Sequence, residues 1–345
     1  MTRTCIQGTG HDTVGIVAHH RAGGMGMMEF SVVIPTYNRE GLIGRCLDSI
    51  ISQAHEPSEI VVVDDGSIDA TERLITRHYG GIKYLKIENS GPLLARKTGI
   101  EHTTAPWIAL CDSDDVWHPN HLQRRCALID RFPASNFTFS NFVLRTGPTR
   151  KHKFDQVGPD YFETYAPKMD AECVLFEDAY LALLETQIAF PSTIAFTRSL
   201  YEKIGGLDGR FSRLTSEDAH FTRKCALQGI VACDRTATVT IHRTPNSVSH
   251  NNLANNEGNI EILRNIMESC NLAENQLRAT IREINRISSD SYRGGVGLAL
   301  RGRLGRSDRF RVRQFWASTS ASDRTIKDYV KFALFRTVAS FWGRN

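Results

Sequence analysis

The chain has no Cys-x-x-Cys pair, no long apolar run, no large charge excess and no internal repeat. Each absence removes a class of protein. The eight cysteines, at positions 5, 46, 111, 126, 173, 225, 233 and 270, are scattered without metal-ligand spacing, which excludes a zinc module. Several stand in apolar surroundings, such as Cys111 after Leu110, where a free thiol behaves as a small hydrophobe. Buried free thiols in a reducing cytoplasm are therefore expected. No apolar stretch reaches the roughly 18–20 residues that span a bilayer. Residues 1–28 lack the apolar centre of a signal peptide and are rich in Gly, His and Thr, so a disordered N-terminal extension is expected there. A formal net charge of +4 over 345 residues is too small to call for a nucleic-acid partner.

What is present is a soluble globular composition, 41% hydrophobic and 23% charged. From residue 30 to about 112, short apolar runs alternate with amphipathic stretches. FSVVIP (30–35), EIVVVDD (59–65), IKYLKIE (82–88) and WIALCD (107–112) read as strands. Between them lie helical patterns: one capped at Asn38, one opened by Asp69 and Glu72 in the spacing of a capping box, and one with Pro92 in its first turn. A further helix is expected from Pro119 to Phe132. Such alternation implies an α/β fold with a parallel sheet, whose ligands bind beyond the C-terminal strand ends. Three of those ends carry polar groups: Thr36-Tyr37-Asn38, Asp64-Asp65, and Asp112-Ser113-Asp114-Asp115.

After residue 137 the pattern is less regular. Strands are expected at 137–144, 188–196 and within 230–242, and a helix over 215–228. From about 256 to 288 an apolar stripe from Ile260 to Ile287 predicts helix. A Gly- and Arg-rich joint over 294–308 and a last amphipathic helix over 329–342 follow.

Carboxylates at i and i+2 of an extended segment project to one side. Asp112 and Asp114 could thus present hard oxygens to Mg²⁺ or Mn²⁺, an ion that keeps positions open for substrate phosphates. The other reading of this short pattern is a solvated loop whose acids cap the following helix. Asp64 or Asp65 could accept hydrogen bonds from a base or a ribose, or could serve the turn alone. Thr36 and Tyr37 could flank a flat ring. Trp117 could stack on a sugar face or anchor the loop.

Taken together, VVIPTYNRE, IVVVDDGSIDAT, NSGPLLARKTGI, ALCDSDDVWHPNHL and GGLDGRF…TSEDAHF resemble the successive blocks of the inverting family-2 glycosyltransferases, over roughly residues 29–245. The resemblance implies a GT-A (Rossmann-like) fold: a mixed, mainly parallel sheet flanked by helices. It implies a catalytic domain over 29–250, divided into a nucleotide-binding half (29–116) and an acceptor half (117–250), with a helical, basic region over 251–345. It also implies hexosyl transfer from a nucleotide-diphospho-sugar, usually a uridine one, to a polysaccharide or lipid-linked glycan. Nucleotide-sugar positions carry over to Pro35, Thr36, Tyr37, Asn38, Asp64, Asp65, Asp112 and Ser113, and metal positions to Asp114 and Asp112. The catalytic base carries over to Asp218, with Glu217 beside it to orient the acceptor. Arg96 lies in Ala-Arg-Lys where the family often has Ala-Arg-Asn, so it could approach the nucleotide or pair with an acid. His242 follows the last strand as a candidate metal or phosphate contact, in a block whose register departs from the family's.

Two other functions are compatible with such a cleft. A sugar-phosphate nucleotidyltransferase usually needs a glycine-rich phosphate loop with a basic residue after the first strand, which PTYNREG lacks. A non-catalytic sugar-nucleotide-binding or scaffold protein would not need Asp112, Asp114 and Asp218 together. The tail from Ser291 onward holds 12 Lys+Arg against 3 Asp+Glu. A basic residue near an anionic bilayer contributes about 1 kcal/mol. Peripheral contact with the inner membrane face is one expectation for this region; packing on the domain, or a homo-oligomer contact, is the other.

Overall fold

The computed structural model describes residues 28–167, 172–214, 216–243 and 252–300, with Arg311, Val312, Gln314, Phe315 and Ala317 beyond them. The expected N-terminal extension (apart from Met28) and the expected helix over 329–342 lie outside the described residues.

The first half follows the sequence pattern closely. Strand β1 (Phe30–Thr36) leads to helix α1 (Ile43–Ile51), β2 (Glu59–Asp64), α2 (Thr71–His78), β3 (Lys83–Lys86), α3 (Pro92–Glu101) and β4 (Trp107–Leu110). Pairings β3–β2, β2–β1 and β1–β4 are all parallel. Every residue of β1 is buried because both faces of the sheet are covered. Phe30, Val32 and Ile34 pack with Ile43, Cys46, Leu47 and Ile50 of α1, while Val33 packs with Leu93 and Ile100 of α3. Helix α3 lies flush on the sheet at Gly99, where a Cβ would come within 2.3 Å of a Val33 methyl.

The second half continues with β5 (Val116–Trp117), α4 (His121–Arg131), β6 (Phe137–Thr146), β7 (Thr149–His152), α5 (Tyr161–Tyr165), β8 (Cys173–Leu175) and α6 (Ala179–Glu185). Then come β9 (Ile194–Thr197), α7 (Arg198–Lys203), α8 (Glu217–Gln228), β10 (Val231–His242), α9 (Asn252–Ser269) and α10 (Glu274–Leu300). The sheet order is β3-β2-β1-β4-β9-β6-β10-β5, with β7 beside β6 and β8 beside β10. Strand β9 runs antiparallel to both β4 and β6, and β6 is parallel to β10. Strands β3, β2, β1, β4, β6 and β10 therefore point one way; β9 is reversed within them, and β5, β7 and β8 run antiparallel to β10 or β6, which makes the sheet mixed but mainly parallel. The expected strand over 188–196 begins only at Ile194, since Pro191–Thr193 forms a 3₁₀ turn. Residues 231–242 form one strand with register shifts between Asp234 and Val239.

The expected helical stripe over 256–288 is two helices, parted at residues 270–273. The expected glycine joint at 294 is helical instead: α10 runs through Gly294 and Gly295 to Leu300. Gly295 faces Val312, where a Cβ would sit 2.1 Å from a methyl, so the glycine permits close packing. Ile260, Leu263, Ile266, Ile284 and Ile287 join the same buried cluster as Phe196 and Phe221. His220 and Arg223 of α8 bond to Asn265 and Asn259 of α9 at 3.0 and 3.2 Å.

Candidate active site

The C-terminal ends of β1, β2 and β4 bring Thr36, Asp64 and Asp112 to one edge of the sheet. The first two loops are stitched together there. Asn38 takes a left-handed backbone (φ 49°), tolerable for Asn. Its N–H donates to Ser67 Oγ at 2.9 Å, and its Oδ1 accepts from the N–H of Ile68 at 2.9 Å. Helix α1 therefore starts later than a cap at Asn38 would place it. The expected capping box at Asp69 and Glu72 is also replaced by loop-to-loop bonds: the N–H of Glu40 donates to Asp69 Oδ2, and that of Ala70 to Glu40 Oε2.

Both acids after β2 are committed inside the protein. Asp64 is fully buried; its oxygens accept from the N–H of Ser67 at 2.7 Å and the hydroxyl of Tyr84 at 2.6 Å. Asp65 accepts from the N–H groups of Ser90 and Gly91 at 2.7 and 2.9 Å, tying this edge to the start of α3. Pro35 lies buried in β1, and Thr36 Oγ1 is buried without a partner. Tyr37, by contrast, is 43% exposed.

The loop after β4 divides its acids. The N–H of Asp112 donates to Ser192 Oγ at 2.9 Å, and Asp112 Oδ1 accepts from Arg96 Nη2 at 2.6 Å. Ser113 is buried. Asp114 meets Arg39 at 3.7 Å, and its backbone carbonyl accepts from Arg45 Nη2 at 2.8 Å. Asp115 is buried and accepts from Ser192 Oγ and from the N–H of His242, so it holds the loop rather than capping the next helix. Trp117 is only 2% exposed: its indole N–H donates to the Ser192 carbonyl and its ring lies 4.3 Å from His121. Of its two readings, loop anchor is the one realised. Ser192 thus ties together Asp112, Asp115 and Trp117. A serine in a Pro-Ser-Thr turn carries no sequence signal for that role.

Charge is crowded accordingly. Burial, then the charge of Asp112, raises the Asp114 pKa, with Arg39 and Arg45 opposing. Burial and the two neighbouring acids push Asp115 well up. Arg96, 6% exposed on α3, bridges the acid loop to α8: Nη1 lies 3.0 Å from Glu217 Oε1, and Nε has no partner. Burial works against its charge, but Asp112 and Glu217 outweigh it and raise its pKa. Asp218, half-buried in the first turn of α8, is pushed up to about 7 by burial, then by Glu217, with Arg96 pulling the other way. His242 ends β10 with Nδ1 buried and unpaired; burial, then Arg45 and Arg145, lowers its pKa.

Among the described residues, no group of three or more His, Cys, Asp and Glu side chains is arranged to hold a metal. Two carboxylates still fit a hard divalent ion whose other ligands are substrate phosphates and water. Asp112 and Asp114 are the pair that would do so. The Asp114 pKa is raised first by burial and then by Asp112, against Arg39 and Arg45, so a cation held there would favour its ionised form. Asp115 does not belong to the set, since both its oxygens are engaged.

Sheet order, covered faces and a polar C-terminal edge define a protein of the GT-A class. Comparison with known proteins agrees. Residues 31–205 match the model of "Glycosyl transferase family 2". The succinoglycan biosynthesis protein ExoW of Rhizobium meliloti (strain 1021) is 30% identical over 227 residues, 62% of this chain and 69% of that one. The chain belongs to glycosyl transferase family 2. An uncharacterized glycosyltransferase of Rickettsia conorii is 33% identical over 132 residues, and one of Nostoc sp. 31% over 189 residues. Those matches span 20% and 54% of the two relatives' own lengths. Among solved structures, S. aureus TarS residues 1–349 in complex with UDP-GlcNAc matches with a TM-score of 0.63 at 22% identity, covering 85% of this chain and 82% of that one. A mannosyltransferase of Pyrobaculum calidifontis in complex with GDP-Man and Mn²⁺ matches at 0.52 and 18%, covering 90% of this chain and 80% of that one. These two likenesses concern the fold.

Proposed function

We propose that the protein transfers a sugar from a UDP-sugar to a hydroxyl of a polysaccharide or lipid-linked glycan, inverting the anomeric carbon by direct displacement. The carrying observation is the single buried Arg96 that joins Asp112, on the donor side, to Glu217, next to Asp218. That bridge holds the first turn of α8, and with it a carboxylate of near-neutral pKa, close to the acid loop, so that base and donor can share one cleft. Asp218 accepts the proton of the attacking hydroxyl, a contribution worth about 10²–10⁴-fold. A pKa of about 7 suits the task, because the group is basic enough to take the proton and still ionised at neutral pH. The N–H of Ala219, which donates to the Ser216 carbonyl at 3.0 Å, is near enough to favour the ionised carboxylate slightly. Glu217, fixed by Arg96, orients the acceptor.

The nucleotide lies on the β1–β2 edge, with the exposed ring of Tyr37 against the base and Thr36 Oγ1, Asn38, Asp64 and Asp65 framing the pocket. Asp112 and Asp114, with His242 nearby, would hold Mg²⁺ or Mn²⁺. That ion supplies Lewis-acid stabilisation of the departing diphosphate. The uridine donor and the polysaccharide acceptor are supported by the TarS complex with UDP-GlcNAc and by the succinoglycan relative, the metal by the Mn²⁺ complex. No helix among the described residues is long and apolar enough to cross a membrane. We place the reaction in the cytoplasm, with any bilayer contact peripheral.

Asp218→Asn tests the reading. Donor binding by calorimetry is expected to persist while sugar transfer falls by about 10²–10⁴-fold. Unchanged turnover would remove Asp218 as the base. A wild-type protein that binds UDP-sugar yet transfers nothing to any hydroxyl acceptor would favour a binding module.

A further inference from the structure

The β6–β7 hairpin gathers like charge on one face. Arg145 pairs across the ladder with Arg150, and Val143 with His152. These four residues line one groove of ≈ 360 Å³ together with Arg45 of α1, Val116 and His118 at β5, and Thr240 and His242 of β10. Three arginines and three histidines face it, and no carboxylate does. Among the described residues, none of the three arginines pairs with an acid. Arg45 donates to the Asp114 carbonyl, and Arg145 only to the Gly147 carbonyl at 3.4 Å. Like charges directly opposite on a ladder destabilise it. The hairpin's opposite face is cationic too, with Lys151, Lys153 and Arg243, but there the cross-strand pair is Leu144 with Lys151 beside Phe142, Phe190 and Ile241, so no like charges face each other on the ladder.

Guanidinium forks match phosphate oxygens bidentately, and neutral imidazoles add N–H donors. His118 Nε2 lies 3.2 Å from Thr240 Oγ1, and His242 Nδ1 is buried without a partner. The groove also adjoins the acid loop, since Asp114, Arg45, Arg145 and His242 border the neighbouring depression. The donor's own diphosphate has its place on Asp112 and Asp114 in the reading above, on which this inference rests. The hairpin arginines are charge beyond that need. We infer that this groove seats a phosphate group carried by the acceptor, so the acceptor is anionic, either a glycan with phosphodiesters in its chain or one linked to a lipid phosphate.

The test uses the full chain saturated with UDP and Mn²⁺, titrated calorimetrically with a soluble glycerol-phosphate oligomer, and repeated without UDP. A second arm measures co-sedimentation with phosphatidylglycerol and with phosphatidylcholine vesicles. The wild type should bind the oligomer or the phosphatidylglycerol vesicles while UDP is bound. Arg145→Gln with Arg150→Gln should weaken that binding by ~10-fold or more, leaving UDP affinity unchanged. Lys151→Gln, which removes the same charge type from the hairpin's other face, should leave phosphate binding within about twofold. Oligomer binding assigns the phosphate to a glycan chain; binding to phosphatidylglycerol alone assigns it to a lipid. The inference is overturned if neither probe binds, if Lys151→Gln loses as much as the arginine pair, or if the double variant loses UDP affinity instead. Failure of the wild type to bind UDP would count against the donor reading, while the titration without UDP still decides the groove.

Discussion

Replacing Arg96 with Met should move the acid limb of the pH–rate profile, not merely lower the rate. A carboxylic acid with a raised pKa is protonated below that value and cannot accept a proton. Wild-type activity should therefore rise through pH 7 as Asp218, pushed up to about 7, ionises. Arg96 restrains that rise: an opposite charge within about 4–6 Å lowers a carboxyl pKa by roughly 1 to 3. Its loss also leaves Asp112 and Glu217 without the counter-ion they share at 2.6 and 3.0 Å, and their charge acts on Asp218 in the same direction. At pH 7 about half of Asp218 is ionised in the wild type. After a rise of 1 to 3, about one molecule in eleven to one in a thousand would be, so kcat/KM at pH 7 should fall by about 5- to 500-fold. The assay is UDP release at saturating Mn²⁺ from pH 5.5 to 10. The Arg96→Met enzyme should regain much of its rate at alkaline pH. Arg96→Lys, which keeps the charge but loses the fork, should hold the limb near its wild-type position. A uniform loss at every pH, with the limb unmoved, would refute the electrostatic argument and reduce Arg96 to a geometric strut.

Two further outcomes follow from the site. Tyr37→Ala should weaken UDP binding by about 2- to 12-fold, the range of one aromatic stacking contact, without changing the melting temperature, because the ring is largely exposed; unchanged calorimetric affinity would take Tyr37 out of the pocket. Ser192→Ala should destabilise the fold by about 1–3 kcal/mol in urea titrations, since it leaves the buried Asp115 carboxylate and the Asp112 N–H each one partner short; a neutral effect would mean that the loop is held elsewhere.

The first half of the fold was readable because its strands are apolar on both faces. A buried parallel strand such as β1 writes a continuous run, and Gly and Pro punctuate its ends. Legibility fails where contacts over long sequence separation decide. Residues 188–196 look like one apolar strand, yet Pro191–Thr193 turns so that Ser192 can reach a loop about 80 positions earlier. Gly294 and Gly295 look like a hinge, yet the second admits Val312 against the helix. Local propensity carries no information about either partner. Tyr84 was missed as a site-framing residue for the same reason: only its neighbouring strand, in register with β2, brings its hydroxyl to Asp64.

The same limit explains what the acid loop could and could not reveal. Three carboxylates in four positions are visible in sequence; their division of labour is not, because it is set by which cation or donor each one meets. Asp115 meets a hydroxyl and an amide and becomes part of the framework. Asp112 meets a buried guanidinium and is held toward α8. Asp114 meets only a 3.7 Å ion pair, with its pKa raised by burial and by Asp112. The least satisfied of the three is thus the one a metal-bound diphosphate would stabilise most. The repulsion within the loop is unevenly distributed, and most of it falls on the position that a bound cation would relieve.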